Sequence, residues 1–268
     1  MKTDIPIRPN APVELGWGSD VAAAMVRAIG LKYIALNPGA SYRGFHDSLV
    51  NFLGNESPSM LLCLHEDHVV SIAHGYAKVT DEPMGAVLHS NVGLMHGAMG
   101  IFNAYCDRMP MVVIGATGPV APEKRRPWID WIHTAKDQGA LVRDYTKWDD
   151  EPRSAEGIVE SFLRGMQLTS TEPRAPVYIC LDAGLQEEKL TRAVELPDVS
   201  RYRQAARPCA DEALVEAVAD LLIGAERPLL LIGRSSRAQA DWDRRVGLAE
   251  ALGASVLTSI RERAAVLG

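Results

Sequence analysis

The stretch "LLCLHEDHVVSIAHGYAK" (61–78) carries the chain's densest set of reactive side chains. It begins as an apolar run, places Glu66 and Asp67 between His65 and His68, and continues with helical periodicity through His74. Two chemistries compete here. His65 and His68 are three residues apart and would share a face on one helix, where Glu66 or Asp67 could complete a divalent-metal site. However, "HEDHVV" is not the HExxH pattern, and His65 falls before the predicted helix, so no metal ligand is assigned. The alternative is a lone carboxylate aimed at a cofactor. A strand–turn–helix junction puts Glu66 at the carboxyl edge of a parallel sheet, where open α/β folds hold ligands. The helix dipole favours an acid in the first turn. The same position suits a capping acid, and position alone favours capping.

Two further stretches place polar residues at strand ends. "NPGAS" (37–41) follows an apolar strand, and its Gly39 lets backbone approach a ligand. In "LHSNVGLMHGAMG" (88–100) a strand ends at His89–Ser90, and Asn91, Gly93 and Gly97 open a helix. That N-terminus could receive an anion or a polar ring. It is neither GxGxxG nor GxxxxGK[ST], so the common phosphate loops are excluded. His89 and Ser90, being adjacent in a strand, point to opposite faces, and no GxSxG elbow exists, which argues against a Ser–His hydrolase. In "RRPWIDWIH" (125–133), Trp128 and Trp131 lie at helical spacing and read as packing or a subunit contact.

These residues need a scaffold, and the apolar pattern supplies one. Strands are predicted over 31–36, 60–64, 84–88, 111–115 and 176–181, and helices over 18–29, 44–53, 66–79, 94–106 and 154–170. Continuous apolar strands separated by helices indicate a parallel sheet covered on both faces. Residues 1–188 therefore read as one doubly wound α/β domain. The charged, non-periodic stretch 189–210 reads as a linker. From 211 to 268 the alternation restarts with helix 211–225, strand 228–233, helix 238–252 and strand 254–259. Two strands and two helices make a thin core, so this second unit looks cut short or needs a partner.

Composition narrows the function classes. The chain has 268 residues, 47% of them hydrophobic, and a formal net charge of −6. No basic field recruits nucleic acid or an acidic membrane. The N-terminus has no apolar signal core, and no window reaches the roughly 18 apolar residues of a membrane span. Cys63, Cys106, Cys180 and Cys209 form no CxxC pair, and three of them sit in apolar surroundings that predict buried thiols. A reducing, cytoplasmic setting follows.

Taken together, "NPGAS", "HEDHVVSIAHGYAK", "LHSNVGLMHGAMGIFNAYCDRMPMVVIGATGP" and "RAPVYICL" resemble the N-terminal part of thiamine-diphosphate-dependent enzymes of the acetolactate synthase, pyruvate decarboxylase and benzoylformate decarboxylase superfamily. The resemblance continues in "RPLLLIGRSSR" and "LAEALGASVLTS" and covers nearly the whole chain. Its most specific element is Glu66 followed nine residues later by Gly75-Tyr76-Ala77. It implies that residues 1–188 bind the cofactor's aminopyrimidine and that 211–268 are the incomplete start of a Rossmann-like central domain. The diphosphate-binding domain, which holds Mg²⁺ through a Gly-Asp-Gly…Asn-Asn motif, would be absent, since no Gly-Asp-Gly occurs. The cofactor would sit between this domain and the diphosphate-binding domain of another subunit, in a homodimer, a homotetramer or a split enzyme.

The resemblance also implies roles. Glu66 would hydrogen-bond the pyrimidine ring and stabilise its imino form, which asks for a carboxyl of raised pKa in an apolar pocket. Gly75 would let the helix behind it pack closely. Asn37, Pro38, Gly39, Gly93 and His96 would contact the cofactor. His89 stands where benzoylformate-decarboxylase-like members carry a catalytic histidine, a general acid–base for the covalent adduct. Ala40, Ser41, His89 and Ser90 would line a 2-keto acid site. Ala40 replaces the substrate-binding serine of benzoylformate decarboxylases, with Ser41 one residue late, and His96 replaces a common asparagine, which leaves specificity open. The implied activity is C–C cleavage or ligation by a fragment or one subunit. A non-catalytic interaction or regulatory module is the competing reading.

Overall fold

A computed structural model describes residues 14–206, 208–236 and 238–258. The chain runs α1 (Gly18–Ala28), β1 (Tyr33–Leu36), α2 (Arg43–Asp47), β2 (Ser59–Leu62), α3 (Glu66–Thr80), β3 (Met84–Val87), α4 (Ser90–Cys106), β4 (Met111–Thr117), α5 (Ile129–Ile132), β5 (Trp148–Asp150), α6 (Ala155–Ser170), β6 (Pro176–Asp182) and α7 (Ala183–Gln186). The six strands form one parallel sheet in the order β2-β1-β3-β4-β6-β5. Parallel strands need crossovers, and helices on both faces explain why β3, β4 and β6 are buried at every position.

Each face has its own core. On one, Val21, Met25 and Val26 of α1 and Ile158 and Phe162 of α6 pack with Ile34, Leu36, Ile114 and Ile179. On the other, Val69, Val70 and Ala73 of α3 and Leu94, Ile101 and Ala104 of α4 pack with Ala35, Ala86, Val113 and Tyr178. Strand order reverses direction at β1: β2 lies on one side of it and β3 on the other. The loops leaving the carboxyl ends of β1 and β3 therefore diverge and open a crevice, the position where doubly wound sheets bind ligands.

Predicted boundaries shift where local chemistry intervenes. The helix predicted over 44–53 is α2 followed by a single π turn, Ser48–Phe52. The helix predicted from 94 starts at Ser90. Edge strand β5, "WDD", was not predicted because it is short and half-buried. Cys106 is exposed, so two of the predicted buried thiols, Cys63 and Cys180, are buried and the third is not.

Of the predicted linker, residues 189–205 belong to the first compact unit. The Leu190 N–H donates to Gly16 O (2.9 Å), Trp17 bridges to Lys189, and Leu190, Val194 and Val199 pack on the core. The chain instead divides into compact units at Ala205/Ala206. The second unit holds α8 (Glu212–Ile223), β7 (Leu229–Leu231), α9 (Gln239–Leu252) and β8 (Ser255–Leu257), with β7 and β8 parallel. Asp211 caps α8 through the Ala213 and Leu214 N–H groups. Leu214, Val215, Val218 and Leu221 of α8 stay exposed, as two strands give them too little to pack against. Residue 259 of the strand predicted over 254–259 lies outside the described residues. No helix among the described residues is long and apolar enough to cross a membrane.

Candidate active site

Beyond β2 the chain reaches His65, whose extended backbone makes it the N-cap of α3; its Nδ1 accepts the Asp67 N–H at 3.2 Å. The capping role that position offered Glu66 thus belongs to His65. Glu66 is the first helical residue, only 6% exposed, and its carboxylate is left to face the crevice. Burial pushes this carboxyl up. Hydrogen bonds from the Asn37 side chain, from its own N–H and from His96 outweigh burial and hold it below the ordinary 4.5. The raised pKa implied by the resemblance is therefore not found, because donors from β1 and α4 reach the carboxylate. His96 is exposed, with Nδ1 3.5 Å from Glu66 Oε2.

Gly93 forms the floor between the two reactive groups. A Cβ there would lie 2.9 Å from Glu66 Oε1 and 3.2 Å from His89 Cβ. Across the crevice, His89 lies half-buried over Gly39, where a Cβ would approach its Cβ, Cγ and Nδ1 to 2.5–2.6 Å. His89 Nδ1 is 2.9 Å from Ser41 Oγ. Burial, then the neighbouring His133, pulls the imidazole below 6.5 against an opposing pull from Glu66. Pro38 and Ala40 are exposed in the loop that leaves β1. Ser90, expected beside the substrate, is fully buried: its hydroxyl donates to Asn91 Oδ1 (3.0 Å), and its φ of 37° is held by an N–H bond to Ser41 Oγ (3.1 Å). Ser41 is likewise buried, 4% exposed.

The metal reading changes partners. His65, Glu66 and His96 bring ligand atoms within 4.8 Å of one another, whereas His68 is exposed, and His74 instead pairs with Asp107 (2.9 Å). The His65 and His96 rings stack at 4.9 Å with 14° between planes. His65 Nδ1 already accepts a helix N–H, which puts the neutral ring's proton on Nε2 and removes that nitrogen's lone pair. Gly75 has open space where a Cβ would be; the close approach of α4 to its neighbours is at Gly97, 3.0 Å from Leu88 and 3.1 Å from Val70.

One residue was missed by sequence reasoning. The His133 ring meets His89 edge-on, with centroids 4.7 Å apart. Its loop follows β4 and is tied down by buried Asp130, which pairs with Arg126 (2.8 Å) and accepts Thr134 through its carbonyl. Asn91 Nδ2 donates to Ile132 O (3.3 Å), and Gln138 donates to Ala116 O and the Tyr178 hydroxyl. The available signal was a histidine in the segment leaving a strand's carboxyl end. Trp128 and Trp131 are 70% and 68% exposed, and α5 is one turn long, so of the two expectations, packing or a subunit contact, packing within this chain is not met.

The fold is an open parallel α/β domain of the doubly wound class, with an acid and two histidines at its switch point. Residues 16–141 match the family described as thiamine pyrophosphate enzyme, N-terminal TPP binding domain. Over these residues the chain carries the N-terminal domain of that family. It is 28% identical over 211 residues to benzoylformate decarboxylase of Pseudomonas aeruginosa, covering 78% of this chain and 38% of that one. It is 25% identical over 221 residues to the acetolactate synthase large subunit of Lactococcus lactis, covering 81% and 36%. The fold superposes on 4-hydroxybenzoylformate decarboxylase of Rhodococcus jostii with a TM-score of 0.72 at 24% identity, over 91% of this chain and 44% of that one. The chain thus spans less than half the length of these relatives.

Proposed function

We propose that the crevice receives the aminopyrimidine of thiamine diphosphate and that the chain supplies this half of an active site acting on a 2-keto acid by C–C cleavage or ligation. The carrying observation is Glu66, a buried carboxylate at the switch point, with Gly93 clearing space beside one oxygen and Asn37 and His96 holding its orientation. That donor–acceptor set fits a heteroaromatic ring with a basic nitrogen. When bound, the cofactor supplies the electron sink for the carbanion chemistry. Glu66 holds a proton at the ring nitrogen. His89, neutral near pH 7 and adjacent to His133, handles a proton on the substrate side. The kinship to benzoylformate decarboxylase favours decarboxylation, and that to acetolactate synthase keeps ligation open.

The diphosphate and Mg²⁺ would be held by a separate domain, on a second copy or on another subunit. Supporting this, Ile72 and Val79 of α3 and Met95, Met99 and Phe102 of α4 are exposed, an apolar surface on the helices that carry Glu66 and His96. The test is Glu66→Gln in the complete enzyme. Turnover should fall by about 10²–10⁴-fold with the fold retained; full activity would remove Glu66 from the mechanism.

A further inference from the structure

We propose that Ser41 is a positioning residue that fixes the tautomer of His89, so that Nδ1 is an acceptor and Nε2 carries the ring proton. This rests on counting protons. The Ser41 hydroxyl has one proton and two lone pairs. The Ser90 N–H occupies one lone pair at 3.1 Å. The hydroxyl is buried, and among the described residues the one acceptor within its reach is His89 Nδ1 at 2.9 Å. If Nδ1 were protonated and donated to Ser41, the hydroxyl proton would be left buried without an acceptor. Ser41 therefore donates, Nδ1 accepts, and the neutral ring is the Nε2–H form.

The arrangement is held from both sides. Gly39 leaves only enough room for the ring to lie over its backbone. Behind Ser41, buried Gln186 donates to the Ser41 carbonyl (3.0 Å) and to Leu181 O (3.2 Å), while its Oε1 accepts the Phe45 N–H (3.2 Å). Nε2 has no partner among the described residues. Ser41 thus acts through His89 and does not touch substrate, in contrast to the substrate contact that the sequence suggested. The catalytic meaning, that His89 meets a substrate as a donor, rests on the active-site reading; the tautomer itself does not.

The experiment is a long-range ¹H–¹⁵N correlation of the histidine rings in the ¹⁵N-labelled 268-residue chain, above the His89 titration, with His89→Gln identifying the signals. The wild type should show His89 as Nε2–H. Ser41→Ala should shift it towards a mixture of both forms, and Ser41→Thr should restore Nε2–H. A wild-type Nδ1–H form, or a Ser41→Ala spectrum matching wild type, overturns the proposal. Should Ser41→Ala not fold, the wild-type and Ser41→Thr spectra still decide. Cofactor plays no part in this readout, so failure here is distinct from failure of the Glu66 test.

Discussion

The two walls of the crevice lower the pKa of their reactive groups by opposite physics. On the β2 side, burial works against the Glu66 charge, and hydrogen bonds from Asn37, its own N–H and His96 win. On the β3 side, burial itself keeps the His89 ring uncharged, and His133 adds to it. The result is one wall holding an anion and the other a neutral imidazole a short span away. Environments of this kind divide acid and base work between two groups. The difference comes from where the donors are: the loop after β1 and the helix α4 aim donors at the carboxylate, whereas a hydroxyl is what meets His89.

Among substitutions that leave both reactive side chains in place, the largest effect should come from collapsing the His89 wall. In Gly39→Ala the new Cβ meets the ring at 2.5–2.6 Å, so the ring must leave Ser41. Turnover of the complete enzyme should fall by on the order of 10²-fold, as for other small misplacements, with Glu66 titrating unchanged. Next, Gly97→Ala strains the contact between α4 and both Leu88 and Val70, behind the two walls at once. Denaturant unfolding should show a loss of about 1–3 kcal/mol.

A smaller effect separates the walls by pH. Both groups have depressed folded pKa values, so each contributes stability above its ordinary pKa that is lost as pH falls through the folded value. For His89 the window lies below 6.5, and for Glu66 below 4.5. Stability measured from pH 7.5 to 3.5 should lose the upper component in His89→Gln and the lower one in Glu66→Gln. In Asn37→Ala the Glu66 midpoint, read by carboxyl NMR, should move up, because burial remains after its main opponent is gone. An unmoved midpoint would contradict the hydrogen-bond explanation. The smallest change is Gly75→Ala, which fills open space within α3 and should stabilise the chain by roughly 0.5–1 kcal/mol in thermal unfolding.

The sheet was legible because its strands are buried on both faces and so read as unbroken apolar runs. Met111–Thr117 and Pro176–Asp182 needed no tertiary knowledge. Edge strand β5 lacked that signal. Glu66 was legible as a residue at a strand–helix junction, but its state was not. The donors that lower its pKa come from 29 residues before it (Asn37) and 30 after it (His96), and only the fold sets them at the carboxylate. His133 lies in an irregular loop positioned by Asp130, Asn91 and Gln138, contacts that no local periodicity encodes. Ser41 was singled out as a substrate contact, whereas its burial and its approach to His89 Nδ1 are set by the fold and not by local sequence.

The most direct measurement is a crystal structure of the complete enzyme with thiamine diphosphate and Mg²⁺. The crevice assignment predicts a Glu66 carboxylate oxygen within about 2.6–3.2 Å of a pyrimidine ring nitrogen, beside Gly93. A pyrimidine bound elsewhere, with Glu66 still held only by Asn37 and His96, would contradict it.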